Sequence, residues 1–355
     1  MKIAVAMSGG VDSSVVAGLL REAGHEVVGI TLQLYDNGAA AARKGACCAG
    51  QDIYDARRVA DRLGIAHYVI DAQERFRAGV IAAFAESYAA GQTPVPCIAC
   101  NQELKFGDLL EMARDFGAQA LATGHYVRRL EGPHGPELHQ AQDLARDQSW
   151  FLFATTSAQL AFCRFPLGDF ASKAQVRAEA ARLGLQVADK PDSQDICFVP
   201  TGSYTDVVAR FRPDALAQGE IVTADGVVRG THQGIARYTI GQAKRLGNAA
   251  RQDGEAMVVT AIEPATRRIV IGPRQATGAT IRLRDVNWLT PPPAGPIQAR
   301  VKLRAREAPQ PASITAQGAG AVLELETPAL AAPGQAAVFY DGSRILGGGF
   351  IVQAN

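Results

Sequence analysis

A chain of 355 residues is too long for one hydrophobic core, so two or three domains are expected. With 47% hydrophobic and 20% charged residues it is not a disordered chain, no apolar run is long enough to span a bilayer, and a net charge of +1 excludes a molecule-wide basic field for nucleic acid. The first apolar stretch breaks at Ser8-Gly9-Gly10, too early for a signal peptide, so the cytosol is the expected compartment. Six cysteines there suggest redox, metal or catalytic use rather than a disulfide framework.

Ile3 to Met7 reads as a strand. Val15, Val16, Leu19, Leu20 and Ala23 then recur at helical spacing, and Gly24 stops the run. The turn between them, Ala6-Met7-Ser8-Gly9-Gly10-Val11-Asp12-Ser13, is the stretch with the clearest chemistry. Two glycines let the backbone bend sharply and bring N–H groups close to a ligand. The open amides and dipole at the helix start favour an anion such as phosphate. Ser8 and Ser13 add hydroxyl donors. Asp12 is an acceptor, so it is expected to meet phosphates through Mg2+ or a water. No lysine follows the glycines, and Gly-x-Gly-x-x-Gly is absent, which excludes the two commoner nucleotide loops.

Val27 to Leu34 is the next strand. Ile53, Ala56, Ala60 and Leu63 share a helix face that ends at Gly64, and His67 to Ile70 is a strand. Helices are expected over Glu74 to Ala90 and Asn101 to Phe116, then a strand over Ala118 to Thr123. Repeated strand–helix units predict a doubly wound parallel sheet with helices on both faces. Ligands then sit at the carboxyl ends of the strands, where the Ser8–Ser13 loop, Leu32 and the Thr123-Gly124-His125 turn should meet. Gly132-Pro133-His134-Gly135 reads as a hairpin tip. Asp147 to Phe153 leads into further helix, and Ser172 caps a helix that Gly184 ends. A polar loop from Asp189 to Asp195 runs into Ile196-Cys197-Phe198, read as a strand start.

After Thr201 the strands become short and alternating. Asp225-Gly226 and Asp341-Gly342 are hairpin turns, and Met257 to Ile262 pairs with Arg268 to Ile271. The expected division is an α/β domain over 1–201, a small β-rich domain over 202–274 and a C-terminal β-barrel over 275–355. Arg300, Lys302, Arg304 and Arg306 alternate along a strand pattern. Such a row lines nucleic-acid phosphates or protects a sheet edge with charge. Trp288 and Phe339 read as core.

Cys97-Ile98-Ala99-Cys100 lies in a proline-rich loop before the helix starting near Asn101. A thiol at a helix N-terminus has its thiolate favoured by the dipole. Cys163 reads as a small buried hydrophobe. Structural zinc on Cys97 and Cys100 with Cys47 and Cys48 is a rival, but adjacent cysteines do not match the usual four-ligand spacing.

The Ser8-Gly9-Gly10-Val11-Asp12-Ser13 loop resembles the pyrophosphate loop of the adenylating ATP pyrophosphatases. Further motifs narrow the resemblance: Pro96-x-x-x-Cys100-Asn101 with Lys105-Phe106, Thr123-Gly124-His125-Tyr126, Arg146-Asp147-Gln148-Ser149, Asp192-Ser193-Gln194-x-Ile196-Cys197-Phe198, Tyr238-Thr239-x-Gly241-Gln242 and Gly347-Gly348-Gly349. In this order they resemble the tRNA-specific 2-thiouridylase family over the whole chain. The resemblance implies an ATP-pyrophosphatase-type fold and ATP-dependent 2-thiolation of the wobble uridine in the tRNAs for Lys, Glu and Gln, releasing AMP and pyrophosphate. By the same resemblance Ala6 to Ser13, Leu32 and Gly124 form the ATP site. Cys100 is the nucleophile and Cys197 carries a persulfide. Val95, Pro96 and Cys97 align with the target-base segment, while His125, Arg146, Asp147, Gln148, Arg304, Arg306 and Gln335 align with tRNA contacts. The implied cofactors are ATP with Mg2+. The implied partners are tRNA and a cysteine desulfurase or sulfur-relay protein, with no membrane.

The chemistry fits the residues. A urea-like carbonyl is a poor electrophile with a hopeless leaving group, and adenylation converts its oxygen into a phosphate ester that sulfur can displace. A cysteine persulfide supplies reactive sulfur. The sequence departs from the family at Val95-Pro96-Cys97, where many members carry Asn-Pro-Asp, so an acid–base role given to that aspartate has no carboxylate here. Cys97, Cys100 and Cys197 would also suit three thiolates of an iron–sulfur cluster. A small-molecule synthetase such as argininosuccinate or GMP synthetase would share the loop without needing the cysteines, and a redox or metal module would need only the cysteines.

Overall fold

The computed structural model describes residues 1–35, 49–191, 196–199, 203–252, 254–274 and 278–354. Cys47 and Cys48, and the motif residues Asp192 to Asp195, lie outside the described residues. The described chain separates into two compact units. The first holds residues 1–80, 97–201 and 342–346; the second holds 81–96, 202–341 and 347–355.

The first unit is built on a parallel sheet of β1 (Lys2–Ala6), β2 (Glu26–Gln33), β3 (Ala66–Asp71), β4 (Ala120–Ala122) and β7 (Cys163–Arg164), in the order β3-β2-β1-β4-β7. All four pairings are parallel. The chain winds outward from β1 to β3, then returns to β4 on the other side of β1. The carboxyl ends of β1 and β4 therefore flank the switch point, the usual ligand crevice of such sheets. Helix α1 (Val11–Glu22) places Val11, Val15, Val16 and Ala17 in a buried cluster with Ile3, Val5 and Met7 of the first strand and its end. Because strand side chains alternate, the buried Ala4 faces the opposite side. An α-helix, Leu109–Asp115, which continues the π-helical turn Cys100–Asp108, packs against β1 and β4.

Helix α2 (Ala49–Leu63) ends at Gly64, as expected, and the helix Lys173–Arg182 is capped by Ser172, whose hydroxyl accepts from the Gln175 N–H at 3.3 Å. Gly18 of α1 lies so close to Leu183 that an added Cβ would stand 2.6 Å from its Cδ1. β5 (Val127–Gly132) and β6 (Gly135–Gln140) form the hairpin read from Gly132 and Gly135, which pair with each other. Residues 342–346 dock here through the Gln140 N–H, which donates to the Ser343 carbonyl at 2.8 Å. The predicted strand at Cys197-Phe198 is instead a turn, closed by the Val199 N–H to the Ile196 carbonyl at 2.8 Å. Phe198 packs on Phe76, ring centroids 5.8 Å apart, in place of joining a sheet.

The second unit contains two β assemblies. β8 (Gly219–Thr223), β9 (Val228–His232), β10 (Arg251–Gln252), β11 (Glu255–Glu263) and β12 (Arg268–Pro273) form a five-stranded sheet ordered β10-β11-β12-β8-β9, and Asp225-Gly226 makes the predicted β8–β9 hairpin. The other six strands, β13 (Gly278–Trp288), β14 (Ile297–Lys302), β15 (Gln310–Gln317), β16 (Gly320–Ala329), β17 (Ala336–Asp341) and β18 (Arg344–Ala354), close a barrel in the order β13-β16-β15-β14-β17-β18, with β18 returning to β13. The seam pairs Leu283 with Ile351 and Trp288 with Gly347. A Cβ on Gly347 would stand 2.4 Å from the Asn287 carbonyl oxygen, which explains a glycine at that crossing. The expected cationic row does not extend as a strand. β14 (Ile297–Lys302) ends at Lys302, which is buried, and Arg304 and Arg306 lie in the following bend and turn.

Candidate active site

The turn after β1 forms as the sequence predicts, and Gly9 takes a positive φ of 74°. A Cβ there would lie 2.1 Å from the Asp52 carbonyl oxygen of α2, so no other residue fits without moving backbone. Gly10 is the N-cap of α1 and supplies no side-chain cap, which leaves the first-turn N–H groups to a ligand. The Ser13 hydroxyl accepts from the Ser8 N–H at 3.1 Å and donates to the Gly10 carbonyl at 3.3 Å, and Ser14 donates to the same carbonyl at 2.8 Å. Gly124, at the end of β4, faces this helix start. A Cβ on it would stand 2.9 Å from the Ser13 nitrogen. Ala6 and Met7 end β1, and Leu32 stands near the end of β2 opposite Ile70. The structure thus brings the Ser8–Ser13 turn and Gly124 together at the switch point.

The Asp12 carboxylate accepts from Lys173 Nζ at 2.8 Å on both oxygens and from the Tyr126 hydroxyl at 2.6 Å. A nearly buried lysine thus faces this carboxylate at the start of α1. A second lysine braces the loop. Lys190 Nζ donates to the Gly9 carbonyl at 2.9 Å, to Asp52 at 2.7 Å and to Asp55 at 2.6 Å. Burial disfavours its charge, but the two carboxylates outweigh burial and hold it above the ordinary lysine value. Lys173, Tyr126, Lys190, Asp52 and Asp55 were not singled out from the sequence. Only Tyr126 carried a signal, as a member of a recognised motif.

The cysteines also depart from the dipole argument. The helix begins at Pro96, four residues earlier than Cys100, so Cys100 lies within the helical run and is buried. Burial pushes its thiol up to about 11, against the lowering charge of Lys105, with Cys197 and Cys97 adding to the rise. Cys97 has an exposed edge, yet its surroundings still push it up for the same first reason. Cys163 is fully buried at the core, as expected, and its thiol is pushed up to about 12 by burial. Cys97, Cys100 and Cys197 are free thiols, and all three are near enough to raise the Tyr35 phenol, which burial raises first. Tyr35 sits edge-on to Phe76 at 5.3 Å, and Phe76 in turn meets Phe198 beside Cys197. Among the described residues no three His, Cys, Asp or Glu side chains converge as metal ligands.

Lys105 joins the two arrays. Its charge acts on Cys97 and Cys100 and also on His125, the residue after Gly124. His125 itself packs near Phe106 (5.8 Å) and Phe165 (6.4 Å), with Nδ1 at 2.8 Å from the Thr123 hydroxyl. Burial first, and Lys105 second, hold it well below its ordinary value, so the ring is neutral.

The Arg146-Asp147-Gln148 stretch divides by role. Asp147 accepts from the Ala141 and Ser149 N–H groups at 3.1 Å each and from the Ser149 hydroxyl at 2.7 Å. Gln148 Oε1 accepts from the Tyr126 N–H at 2.9 Å. These two fold the loop, and Arg146 is the exposed member. In the second unit, Val95 is half-buried and Pro96 buried. The segment before them is held by the Thr93 N–H to the Pro333 carbonyl at 2.7 Å and by Gln335 Nε2 to the Thr93 carbonyl at 2.9 Å. Arg304 is engaged by Glu307 at 2.8 Å and the Leu330 carbonyl at 3.1 Å, whereas Arg306 is exposed.

Family models match in three consecutive stretches: a tRNA methyl transferase HUP domain over residues 1–201, a tRNA methyl transferase PRC-barrel domain over 205–273 and an aminomethyltransferase beta-barrel domain over 279–351. A tRNA-specific 2-thiouridylase MnmA of Acidiphilium cryptum is 68% identical over 352 residues, covering 99% of this chain and 100% of that protein. The chain belongs to the tRNA-specific 2-thiouridylase family. Members from Gluconobacter oxydans and Rhodospirillum centenum are 60% and 57% identical, each covering 99% of this chain, and 99% and 92% of their own length. As a 2-thiouridylase family member, the chain has its HUP match over the residues that carry both the phosphate turn and the Cys100 and Cys197 thiols.

Proposed function

We propose that this chain is an ATP-dependent tRNA-uridine 2-sulfurtransferase acting on the wobble uridine of the tRNAs for Lys, Glu and Gln. The observation that supports the reading is that one compact unit holds the Ser8–Ser13 turn together with Cys100 and Cys197. A small-molecule synthetase would not need those thiols in the same unit as its adenylating loop.

ATP enters with its Mg2+ as the substrate complex, its phosphates on the α1 amides and the Ser8 and Ser13 hydroxyls. The uridine O2 attacks the α-phosphorus and pyrophosphate leaves. Cys197 receives a persulfide from a cysteine desulfurase or relay protein. The Cys100 thiolate attacks the inner sulfur of that persulfide, so a Cys100–Cys197 disulfide forms and hydrosulfide leaves with the electron pair of the broken S–S bond. Hydrosulfide adds at C2 and expels AMP, leaving 2-thiouridine. A thiol reductant restores both cysteines. Closing the disulfide requires Cα atoms about 4.4–6.8 Å apart. Arg146, Arg304 and Arg306 supply cationic contacts to tRNA, Val95 to Cys97 meet the target base, and His125, Asp147, Gln148 and Gln335 hold their loops for that contact.

The test is mass spectrometry of tRNA incubated with the protein, ATP, Mg2+ and a persulfide source. A sulfur-for-oxygen mass gain on the wobble nucleoside that needs ATP is the expected result. Cys100→Ser and Cys197→Ser should each abolish the gain, a loss of at least roughly a thousandfold for a nucleophile, while ATP binding persists. Thiolation retained in either variant would refute the assignment.

A further inference from the structure

Tyr35 is a polar group with no assigned work. Its hydroxyl is buried and has no hydrogen-bond partner among the described residues. An unmet buried hydroxyl costs free energy, so its persistence calls for a partner that is absent from the resting thiol state. The phenol is held from behind by Phe76, ring centroids 5.3 Å apart at 88°, and Phe76 also carries Phe198. The same aromatic ring therefore fixes both Tyr35 and the turn that bears Cys197. The Cys197, Cys100 and Cys97 thiols are near enough to act on the phenol, Cys197 most strongly. Lys105 is the cation that acts on Cys97 and Cys100 from the helical run.

A neutral thiol is a poor acceptor, whereas a thiolate or persulfide anion is a strong one. Burial, followed by the nearby thiols, keeps the phenol protonated well above its ordinary range, so it stays a donor at every working pH.

We propose that the Tyr35 hydroxyl is the hydrogen-bond donor that stabilises the sulfur anion carried by Cys197. This rests on the thiolation reading above. The phenol keeps its proton throughout; a sulfur lone pair accepts the hydrogen bond, and no covalent bond forms or breaks at Tyr35.

Tyr35→Phe removes one oxygen and keeps the ring against Phe76. Alkylation of Cys197 by iodoacetamide at neutral pH, followed by peptide mass spectrometry, should slow roughly tenfold in this variant. With persulfide supplied, kcat for thiolation should fall by a similar factor while KM for ATP stays unchanged. Replacing Tyr35 by 3-fluorotyrosine makes the phenol a stronger donor and should speed the same alkylation. Alkylation rates that are equal in all three proteins would overturn the proposal. If the unaltered protein fails to thiolate tRNA, the functional reading falls, and the alkylation series still decides the role of Tyr35.

Discussion

Cys100 shows how much a single position depends on its neighbours. Burial holds its thiol protonated at neutral pH, so its reactivity depends on what opposes burial, and Lys105 is the first such influence. In a π-helical turn the hydrogen bonds run from i to i+5, which sets Lys105 one turn above Cys100 on the same side of the helix. Lys105→Met should therefore raise the thiol further and slow alkylation of Cys100 roughly tenfold at neutral pH, with Lys105→Arg restoring most of the rate. Site-resolved alkylation checks both variants; an unchanged rate in Lys105→Met would remove the lysine from the account. Neither the side-by-side placement of Lys105 and Cys100 nor the role of Tyr35 was legible in the sequence. At α-helical spacing residues five apart do not share a face, and a tyrosine at the end of a strand has no local signature of its partners.

The strand–turn–helix unit is the element that sequence reading recovers well. Gly9, Gly10 and the serines act through backbone geometry that local sequence dictates, so the turn, its positive φ and its place at a strand's carboxyl end follow from eight residues. The bracing of that turn does not follow. Lys173 and Lys190 lie more than a hundred residues away along the chain and reach Asp12 and Gly9 only after the sheet has formed. Gly124 belongs to the same cradle. Gly124→Ala would press a methyl group against the Ser13 nitrogen and Asp12 Cβ, 2.9 and 3.0 Å from the new carbon. Backbone would have to yield at the amides that open α1, at a cost of about 1–3 kcal/mol. Titration calorimetry should show ATP binding weakened roughly tenfold or more, with the unfolding midpoint lowered by the same strain. The cationic row beyond Arg300 shows the opposite case, a period-2 pattern that continues in sequence after the strand has stopped, because Arg304 is drawn to Glu307 and the Leu330 carbonyl.

Across the whole molecule, three histidines share one electrostatic situation. His67, His125 and His232 are each held below the ordinary 6.5, in every case by burial first. Their folded values lie below their unfolded ones, so the unfolded chain binds more protons as pH falls. The stability tied to their neutral state is complete above about 6.5 and is lost as pH drops below it. Urea midpoints should be flat from neutral upward and decline below that point, ahead of the carboxylate range. His125→Asn should flatten part of the decline; a midpoint independent of acidification down to the carboxylate range would contradict the burial argument. The alternation of strand and helix signals predicted the parallel sheet, and the change of texture after Thr201 predicted the β assemblies. The grouping of residues 81–96 with the second unit had no such signal, since a helix interior looks alike on both sides of a structural boundary.

The barrel seam between β13 and β18 has a consequence for biosynthesis. Until residues 347–354 have left the ribosome, β13 keeps an open flank of unpaired amides and carbonyls, and a ribosome stalled just short of them would release a polypeptide primed for strand exchange with its neighbours. A truncation that removes residues 347–354 should therefore be nearly as damaging as one that removes the whole barrel, because either leaves that flank without its partner.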